Sequence, residues 1–330
     1  MSKEELSVRQ ARITSHLNDA RARLKALGQS VMPSLAESMP EPTSVTALEA
    51  AAAELESWRM AQARLTIESI CGATDDSVDV ERYKGGLGAS IAFVRQHEPP
   101  VAQIQWYANL QSRLGSNATV GTVNDLRWCT GTLIADNVLL TAGHCFDVDS
   151  NGHETPKRAG KSLPPIELAK LMKVNFNYQL PPSGVDPRPS VEYPITKLIE
   201  HREGIKKLDY AIAELGKGSD GEFPGKRFGV GTVDAGSAAL DEATLLTIIQ
   251  HPKGLPKRIA AGSRYSLTPP NLSYSDIDTE GGASGSGVLN LFGRIVAVHV
   301  LGGCEQTGGA NQGVTLNSIR PFSAYLQNKQ

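Results

Sequence analysis

Three segments of this 330-residue sequence carry side chains that together could perform nucleophilic acyl transfer. A serine hydroxyl is a poor nucleophile unless an imidazole removes its proton, and the imidazole does so well only when a carboxylate fixes its tautomer. We assign the base to His144, the orienting acid to Asp209 and the nucleophile to Ser284. Together these residues predict a serine endopeptidase. The segments are Thr-Ala-Gly-His-Cys at 141–145, Leu-Asp-Tyr-Ala-Ile-Ala-Glu-Leu at 208–215 and Gly-Gly-Ala-Ser-Gly-Ser-Gly-Val at 281–288.

The turn around Ser284 is dense in glycine. Glycines beside a nucleophile let the backbone adopt positive φ angles and let a substrate carbonyl approach closely. The same turn could direct the backbone N–H groups of Gly282 and Ser284 at the oxyanion that forms during the reaction. Ser286 is a rival nucleophile, but it fits the flanking glycines less well. Ser284 is therefore the predicted nucleophile.

The elements that must position these side chains begin near residue 72, where short β-type runs alternate with glycine and proline turns. This pattern is typical of an all-β sandwich or barrel, and nothing suggests alternating βαβ units. A short closing helix is expected over 319–327. The expected strands cover 101–106, 131–135, 138–141, 173–178, 243–250 and 294–300.

Residues 1–71 have a pattern typical of an α-helical hairpin. Apolar residues recur every seven positions along 3–31, prolines interrupt the pattern over 33–44, and a second, weaker stripe follows. We expect either a packing appendage or a module for partner binding or self-association, followed by a catalytic domain at 72–330. The seven-residue positions are Leu6, Ile13, Ala20 and Leu27 in the first helix and Ala51, Trp58 and Leu65 in the second.

Composition argues against several functions. The formal net charge is −2 with no long basic run, which disfavours nucleic-acid binding. A membrane-spanning helix needs about 18 uninterrupted apolar residues, and the sequence has no such stretch. The first residues lack the apolar core of a signal peptide. This favours a cytoplasmic protein, unless an export segment is missing and the protein is secreted. No cofactor is expected.

The four cysteines show no Cys-x-x-Cys spacing, so no structural metal site is expected. Cys129 and Cys145 bracket one pair of strands, and a disulfide between them would contribute about 3 kcal/mol. Such a bond persists in oxidising compartments, which conflicts with the missing signal peptide. The sequence does not show whether Cys71 pairs with Cys304.

The neighbourhoods of the three candidate residues resemble those of a known family. The segment from Cys129-Thr-Gly-Thr-Leu-Ile to Leu-Thr-Ala-Gly-His-Cys145 resembles the strand pair and active-site histidine of trypsin-like (chymotrypsin-fold) serine peptidases, including the 16-residue step between cysteines. The segment 276–287 looks most like the glutamyl endopeptidase (V8-like) branch. The resemblance covers about 72–326. It implies a mainly β fold of two six-stranded β-barrels with the triad in the cleft between them, preceded here by the helical hairpin.

The sequence departs from the family pattern beside the nucleophile. Ala283 stands where vertebrate digestive members carry an aspartate that binds a newly cut N-terminus, and Gly287 stands where most members have proline. Without a carboxylate Ala283 cannot make that ion pair, so activation by that switch is not expected. Removal of residues 1–71 could still relieve steric inhibition.

The resemblance also implies a specificity pocket at Asp278, Thr279 and His299. Asp278 occupies the position that attracts Lys or Arg in trypsin-like relatives, whereas Thr279 and His299 match residues that bind a substrate carboxylate in the glutamyl branch. A hydroxyl or a protonated imidazole suits a carboxylate, but an exposed Asp278 would repel one. We expect a preference for acidic P1 residues, with small or apolar and basic residues as the alternatives.

Two functions follow from these features. The first is an endopeptidase acting on protein or peptide substrates, and in one form of this hypothesis a regulated intracellular protease that docks through residues 1–71. The second is a protease-like binding module whose catalysis is incidental. The intact set of His144, Asp209 and Ser284 favours the enzyme.

Overall fold

The computed structural model describes residues 70–147, 149–150, 153–203, 208–234, 245–305 and 307–328. The helical hairpin expected at 1–71 therefore lies outside the described residues, apart from its last two positions. Within the described ranges, no helix combines the length and hydropathy needed to cross a membrane.

The described chain is mainly β-structure with short helices. In chain order the strands are β1 Val78–Asp79, β2 Val101–Trp106, β3 Ala118–Thr119, β4 Arg127–Ala135, β5 Val138–Thr141, β6 Asp149–Ser150, β7 His153–Glu154, β8 Lys157–Arg158, β9 Lys161–Ser162, β10 Met172–Phe176, β11 Val191–Arg202, β12 Tyr210–Leu215, β13 Thr232–Val233, β14 Leu246–Gln250, β15 Arg258–Gly262, β16 Tyr265–Thr268, β17 Asn271–Tyr274, β18 Gly287–Leu289, β19 Arg294–Leu301, β20 Cys304–Glu305, β21 Gly308–Gly309 and β22 Asn311–Thr315. The helices are α1 Ile91–His97, α2 Leu110–Leu114, α3 Pro165–Ala169, α4 Pro224–Phe228, α5 Leu316–Ile319 and α6 Ala324–Gln327, with 3₁₀ turns at Gly143–Phe146, Pro252–Gly254 and Arg320–Phe322.

The first half of the fold is a closed six-stranded antiparallel barrel in the order β10-β11-β12-β5-β4-β2. Its strands are rich in β-branched and aromatic residues, which suit a pleated and buried surface. Trp106 of β2 is fully buried and meets Trp128 of β4 edge to face, with ring centroids 6.0 Å apart. Closure leaves the barrel without an unpaired edge.

The second half is a nine-stranded sheet in the order β1-β15-β14-β18-β19-β22-β17-β16, with β13 pairing in parallel to β19. Its own apolar cluster includes Leu246, Ile277 and Val296. Hydrogen bonding does not join β16 to β1, so the sheet is open. Residues 266–268 of β16 are exposed and therefore lie outside the packed interior. The mainly β fold with two β units is confirmed, but the second unit differs from the expected six-stranded barrel in strand number and closure.

The expected strands agree closely with the structure. Strands β2 and β5 have the expected bounds, and β4, β10, β14 and β19 overlap the other expected ranges. The closing helix expected over 319–327 is broken into α5, a 3₁₀ turn and α6. Pro321 lies at the break, where its ring and missing N–H do not suit a continuous helix.

Candidate active site

His144 lies in the 3₁₀ turn Gly143–Phe146, directly after β5. The turn is attached to β4 by the disulfide between Cys129 and Cys145, which is present as expected. The indole Nε1 of Trp128 donates to the carbonyl of Cys145 at 2.8 Å. These links to β4 fix the position of the histidine turn. His144 itself is buried, with only 7% of its surface exposed.

Asp209 directly precedes β12, which pairs with β5, so its carboxylate lies beside the histidine turn. Its Oδ2 is 2.7 Å from Nδ1 of His144, and its Oδ1 accepts the backbone N–H of His144 at 3.0 Å. Burial opposes the ionised carboxylate, but the charge and hydrogen bonds of His144 and the backbone N–H of Gly143 outweigh burial and lower the pKa of Asp209. Asp209 is therefore a carboxylate at neutral pH.

Ser284 precedes β18 and completes the arrangement from the second sheet. Its Oγ is 2.7 Å from Nε2 of His144. Because the Asp209 carboxylate accepts the ring proton at Nδ1, Nε2 is left to accept the serine hydroxyl. The three side chains predicted from the sequence thus form one continuous hydrogen-bonded chain.

Thr130, in the middle of β4, connects the first barrel to the nucleophile turn. Its backbone N–H donates to the carbonyl of Ser284 at 2.9 Å, and its hydroxyl donates to the carbonyl of Gly282 at 2.7 Å. The same hydroxyl accepts the backbone N–H of His251 at 3.0 Å. The sequence alone does not single out Thr130, although the Cys-Thr-Gly-Thr segment contains it.

Glycines are required at two points of the turn. Gly282 has a φ of +103° and Gly285 a φ of +88°, angles that other residues rarely adopt. A Cβ added at Gly285 would lie 2.0 Å from Oγ1 of Thr141. The turn therefore adopts its shape and packs against β5 only with glycine at these positions.

The other side chains of this turn are buried and serve as supports. The hydroxyl of Ser286 donates to the carbonyl of Ala283 at 2.6 Å, and the serine is fully buried. The N–H of Ala283 donates to the carbonyl of Glu280 at 2.9 Å. The hydroxyl of Ser286 is thus engaged within the turn itself. Ala283 is fully buried and carries no charge.

The peptide that joins Gly281 to Gly282 has a fixed orientation. The carbonyl of Gly281 accepts the backbone N–H of Lys253, within the 3₁₀ turn Pro252–Gly254. In a trans peptide the N–H points opposite to the carbonyl, so the N–H of Gly282 is directed away from that turn.

Cys129, Cys145 and His144 have ligand atoms within 4.8 Å of one another, a spacing that a metal ion could bridge. The two sulfur atoms are joined in the disulfide and are not thiolates, which are the form that binds a metal. This cluster is therefore a structural feature of the histidine turn. A second disulfide joins Cys71 to Cys304, the pairing that the sequence left open.

Asp278 lies six residues before Ser284, and its side chain contacts the segment that begins the described chain. Oδ1 accepts the backbone N–H of Cys71 at 2.6 Å, and Oδ2 accepts the backbone N–H of Asp76 at 2.8 Å. Asp278 is 3% exposed. Both carboxylate oxygens are thus used within the protein, a role that the sequence did not indicate.

Thr279 and His299, the other residues of the expected pocket, are also buried. Oγ1 of Thr279 has no hydrogen-bond partner among the residues that the structure describes. Nδ1 of His299 contacts the hydroxyl of Tyr274. Burial, with a smaller electrostatic effect of the nearby His144, lowers the pKa of His299 to about 3. The imidazole of His299 is therefore neutral at neutral pH.

Comparisons with known proteins agree with this geometry. The sequence profile described as "Trypsin-like peptidase domain" matches residues 129–298, more than half of the chain. Residues 129–298 include His144, Asp209 and Ser284.

Two relatives are similar to parts of this chain. "Uncharacterized protein y4fB" of Sinorhizobium fredii (strain NBRC 101917 / NGR234) is 26% identical over an alignment of 246 residues, and the match covers 71% of this chain and 31% of that protein. The human "Transmembrane protease serine 11A" is 25% identical over 174 residues, which are 53% of this chain and 31% of that protein. The matched region thus spans about a third of the length of each relative.

A solved structure of a Glu endopeptidase in complex with MPD aligns with 78% of this chain and 100% of its own chain, at 19% identity and a TM-score of 0.48. The family assignment is carried by the profile match. This chain belongs to the trypsin-like peptidases, a family of serine endopeptidases.

Proposed function

We propose that this chain hydrolyses peptide bonds through an acyl-enzyme formed on Ser284, with His144 as the base and then the acid and with Asp209 as the orienting carboxylate. The observation that carries the proposal is the hydrogen-bonded chain of these residues, with 2.7 Å between Asp209 Oδ2 and His144 Nδ1 and 2.7 Å between His144 Nε2 and Ser284 Oγ.

In the first half of the reaction, Oγ of Ser284 attacks the substrate carbonyl carbon while Nε2 of His144 takes the hydroxyl proton. The ionised Asp209 stabilises the imidazolium that forms. The proton then passes from Nε2 to the leaving amine, and the carbon–nitrogen bond breaks. The product is an ester of Ser284 and a free amine.

In the second half, a water molecule gives its proton to Nε2 of His144 and attacks the ester carbonyl. The imidazolium returns that proton to Oγ of Ser284 as the ester bond breaks, which releases the carboxylic acid and restores the enzyme. Both halves pass through a tetrahedral oxyanion. The N–H groups of Gly282 and Ser284 are the proposed donors, and such donors contribute roughly 3–4 kcal/mol each. The contact between Gly281 and Lys253 supports this role because it directs the Gly282 N–H away from the 252–254 turn.

An extended substrate needs space on both sides of the reacting bond. An open cavity of about 630 Å³ is lined in part by Lys253 and Gly254, and the backbone N–H of Lys253 donates to the carbonyl of Gly281 at the start of the nucleophile turn. Arg127 and Lys173 also line this cavity. We propose that part of an extended peptide substrate occupies this cavity.

We propose acidic P1 side chains as the preferred substrates. Asp278 already accepts two backbone N–H groups, so its carboxylate is not available to pair with a substrate Lys or Arg. Oγ1 of Thr279, buried and without a partner in the described part of the chain, is a suitable donor to a substrate carboxylate. Because His299 is neutral, its contribution would be a hydrogen bond and not an ion pair.

Cleavage-site profiling on a peptide library tests both parts of this proposal. We expect the wild type to cut mainly after Glu or Asp, Ser284→Ala to be inactive, and Ser286→Ala, the matched control, to retain cleavage. Cuts mainly after Lys, Arg or apolar residues would overturn the acidic preference alone. If neither the full chain nor a chain lacking residues 1–69 shows Ser284-dependent cleavage, the protein is instead a protease-like binding module.

We also propose that residues 1–71 form a separate interaction unit, on the basis of their seven-residue apolar repeat. A helical stripe of this kind suits a partner helix or a second copy of the chain. Light scattering of the full chain and of a chain lacking residues 1–69 would measure the oligomeric state of each. Equal oligomeric states would exclude self-association through this region. The alternative, binding to a different protein, would then be tested by capture with residues 1–71.

A further inference from the structure

We propose that residues 71–76, here called the strap, form a supporting wall of the P1 pocket, and that Asp278 is a positioning residue that fixes this wall rather than a group that binds substrate. This inference rests on the proposed function, because it concerns the pocket of that same active site. It assigns a role to the Cys71–Cys304 disulfide as well.

The strap is not held by apolar burial. Residues 73–76 are exposed, and Cys71 and Gly72 are half-buried. Its backbone is instead attached at both ends to one carboxylate, since Asp278 accepts the N–H groups of Cys71 and Asp76 at 2.6 and 2.8 Å. Hydrogen bonds to a charged acceptor are stronger than neutral ones, and a buried carboxylate needs such donors. Asp278 and the strap therefore fix each other.

The disulfide attaches the same strap to the segment that follows β19. Cys71 is bonded to Cys304, which lies 233 positions later in the sequence and just after β19. The buried side chain of Asn311 reinforces this link. Its Oδ1 accepts the N–H groups of Gly303 and Cys304 at 2.9 and 3.1 Å, and its Nδ2 donates to the carbonyl of Ile277 at 2.9 Å.

Asn311 thus joins the two chain segments that border the expected pocket. One segment is 277–279, which ends five residues before Ser284, and the other is 299–304. The backbone of His299 is in turn bonded to the nucleophile turn, because its carbonyl accepts the N–H of Gly285 at 2.8 Å. A shift of the strap would therefore move both pocket segments relative to Ser284.

Beyond the strap, the chain continues directly into the second sheet. Val78 and Asp79 of β1 pair with β15, and Arg258 of β15 donates to the carbonyl of Ser77. The guanidinium of Arg258 also lies 3.4 Å from the carboxylate of Asp75. The strap is therefore a part of the catalytic domain.

The substitution Asp278→Asn tests this inference against Asp276→Asn as a matched control. Asp276 also accepts backbone N–H groups, from Ser263 and Arg264 at 3.0–3.1 Å, but within the described ranges no hydrogen bond joins it to the strap. For the peptide that the wild type cleaves best, we expect Asp278→Asn to raise KM about tenfold, the effect of one lost charged hydrogen bond. Labelling of Ser284 by a small fluorophosphonate, which does not fill the pocket, should stay within about twofold of wild type for both variants.

Two results would overturn the inference. One is a KM for Asp278→Asn that equals the KM for Asp276→Asn. The other is selective loss of cleavage after Lys or Arg in Asp278→Asn, because that loss would show that Asp278 binds the substrate directly.

The double variant Cys71→Ser with Cys304→Ser provides a second test should Asp278→Asn fail to fold. We expect faster amide hydrogen exchange in 71–76 and 299–304 than in wild type, with unchanged exchange in the first barrel, and a similar rise in KM. Unchanged exchange in 299–304 would contradict the inference. The exchange measurement does not need activity, so a wild type that cleaves no peptide would refute the proposed function and leave the strap test intact.

Discussion

The hydroxyl of Thr130 donates to the carbonyl of Gly282 at 2.7 Å and thereby bonds the first barrel to the nucleophile turn of the second sheet. His144 and Asp209 belong to the first barrel, whereas Ser284 belongs to the second sheet. The distance between base and nucleophile therefore depends on contacts of this kind. Thr130 is fully buried, so water cannot replace the bond.

Replacing Thr130 with valine should lower kcat about tenfold with little change in KM. The variant loses the bond to Gly282 and leaves the buried N–H of His251 without its acceptor, which costs roughly 1–3 kcal/mol of stability. Steady-state kinetics and thermal unfolding would measure the two effects. Thr132→Val is the matched control on the same strand, because the Thr132 hydroxyl has no partner within the described chain. Equal effects of the two variants would contradict this role of Thr130.

Replacing Asp209 with asparagine should lower kcat about 10⁴-fold, because the amide can hold the imidazole in the wrong tautomer and cannot stabilise its cation. Steady-state kinetics on the best library peptide would measure the loss. Asp220→Asn, at an exposed carboxylate, should remain within about twofold of wild type. A loss below about tenfold for Asp209→Asn would show that Asp209 does not orient the base.

The same carboxylate should make stability sensitive to acid. The pKa of Asp209 is lower in the folded protein than in the unfolded chain, so its stabilisation is complete above the unfolded pKa and is lost as the pH falls through the folded pKa. Unfolding free energies measured below pH 4 should therefore decline more steeply for wild type than for Asp209→Asn. If the unfolding free energies of the two proteins decline equally as the pH falls, the pKa of Asp209 is not lowered in the folded protein.

Asp76 should have the opposite effect on stability. Partial burial and the nearby carboxylate of Asp278, with smaller contributions from Asp75 and Asp276, raise the pKa of Asp76 to about 6. A carboxyl with a raised pKa stabilises the fold only while it is protonated, so this contribution declines as the pH rises from about 4 to about 6.

The test is thermal unfolding as a function of pH for wild type and Asp76→Asn. We expect the decline between pH 4 and 6 to be smaller in the variant, which cannot ionise. The guanidinium of Arg258 lies 3.4 Å from the carboxylate of Asp75 and keeps its charge over the whole range. An equal decline in both proteins would show that Asp76 does not titrate in this range.

Replacing Thr279 with valine should reduce kcat/KM for a Glu P1 peptide about tenfold, because the variant removes the proposed donor to the substrate carboxylate. The matched measurement is the same variant on an otherwise identical peptide with Leu at P1, where the change should stay within about twofold. If both peptides lose activity equally, Thr279 supports the pocket without recognising the acid.

The features that the sequence predicted well are those encoded by contiguous residues. The neighbourhoods of His144, Asp209 and Ser284 are short motifs in which each turn is specified locally, and the strands around them have clear apolar patterns. The disulfide between Cys129 and Cys145 also follows from two adjacent strands, β4 and β5.

The features that the sequence missed depend on long-range contacts between ordinary residues. Asp278 bonds to backbone groups more than 200 positions away, and a backbone N–H has no sequence signature. Thr130 is one threonine in a strand, and only the fold places it against Gly282. The open second sheet depends on β16, whose exposed residues hardly differ in sequence type from those of a buried strand.

The proposed mechanism requires Ser284 to be a nucleophile that His144 activates. Intact-mass and peptide-mapping mass spectrometry after treatment with a fluorophosphonate measures this directly. We predict one adduct per chain, located on Ser284, that is absent in Ser284→Ala, strongly slowed in His144→Ala and retained in Ser286→Ala. An adduct on Ser286, or no adduct on the folded wild type, would contradict the account.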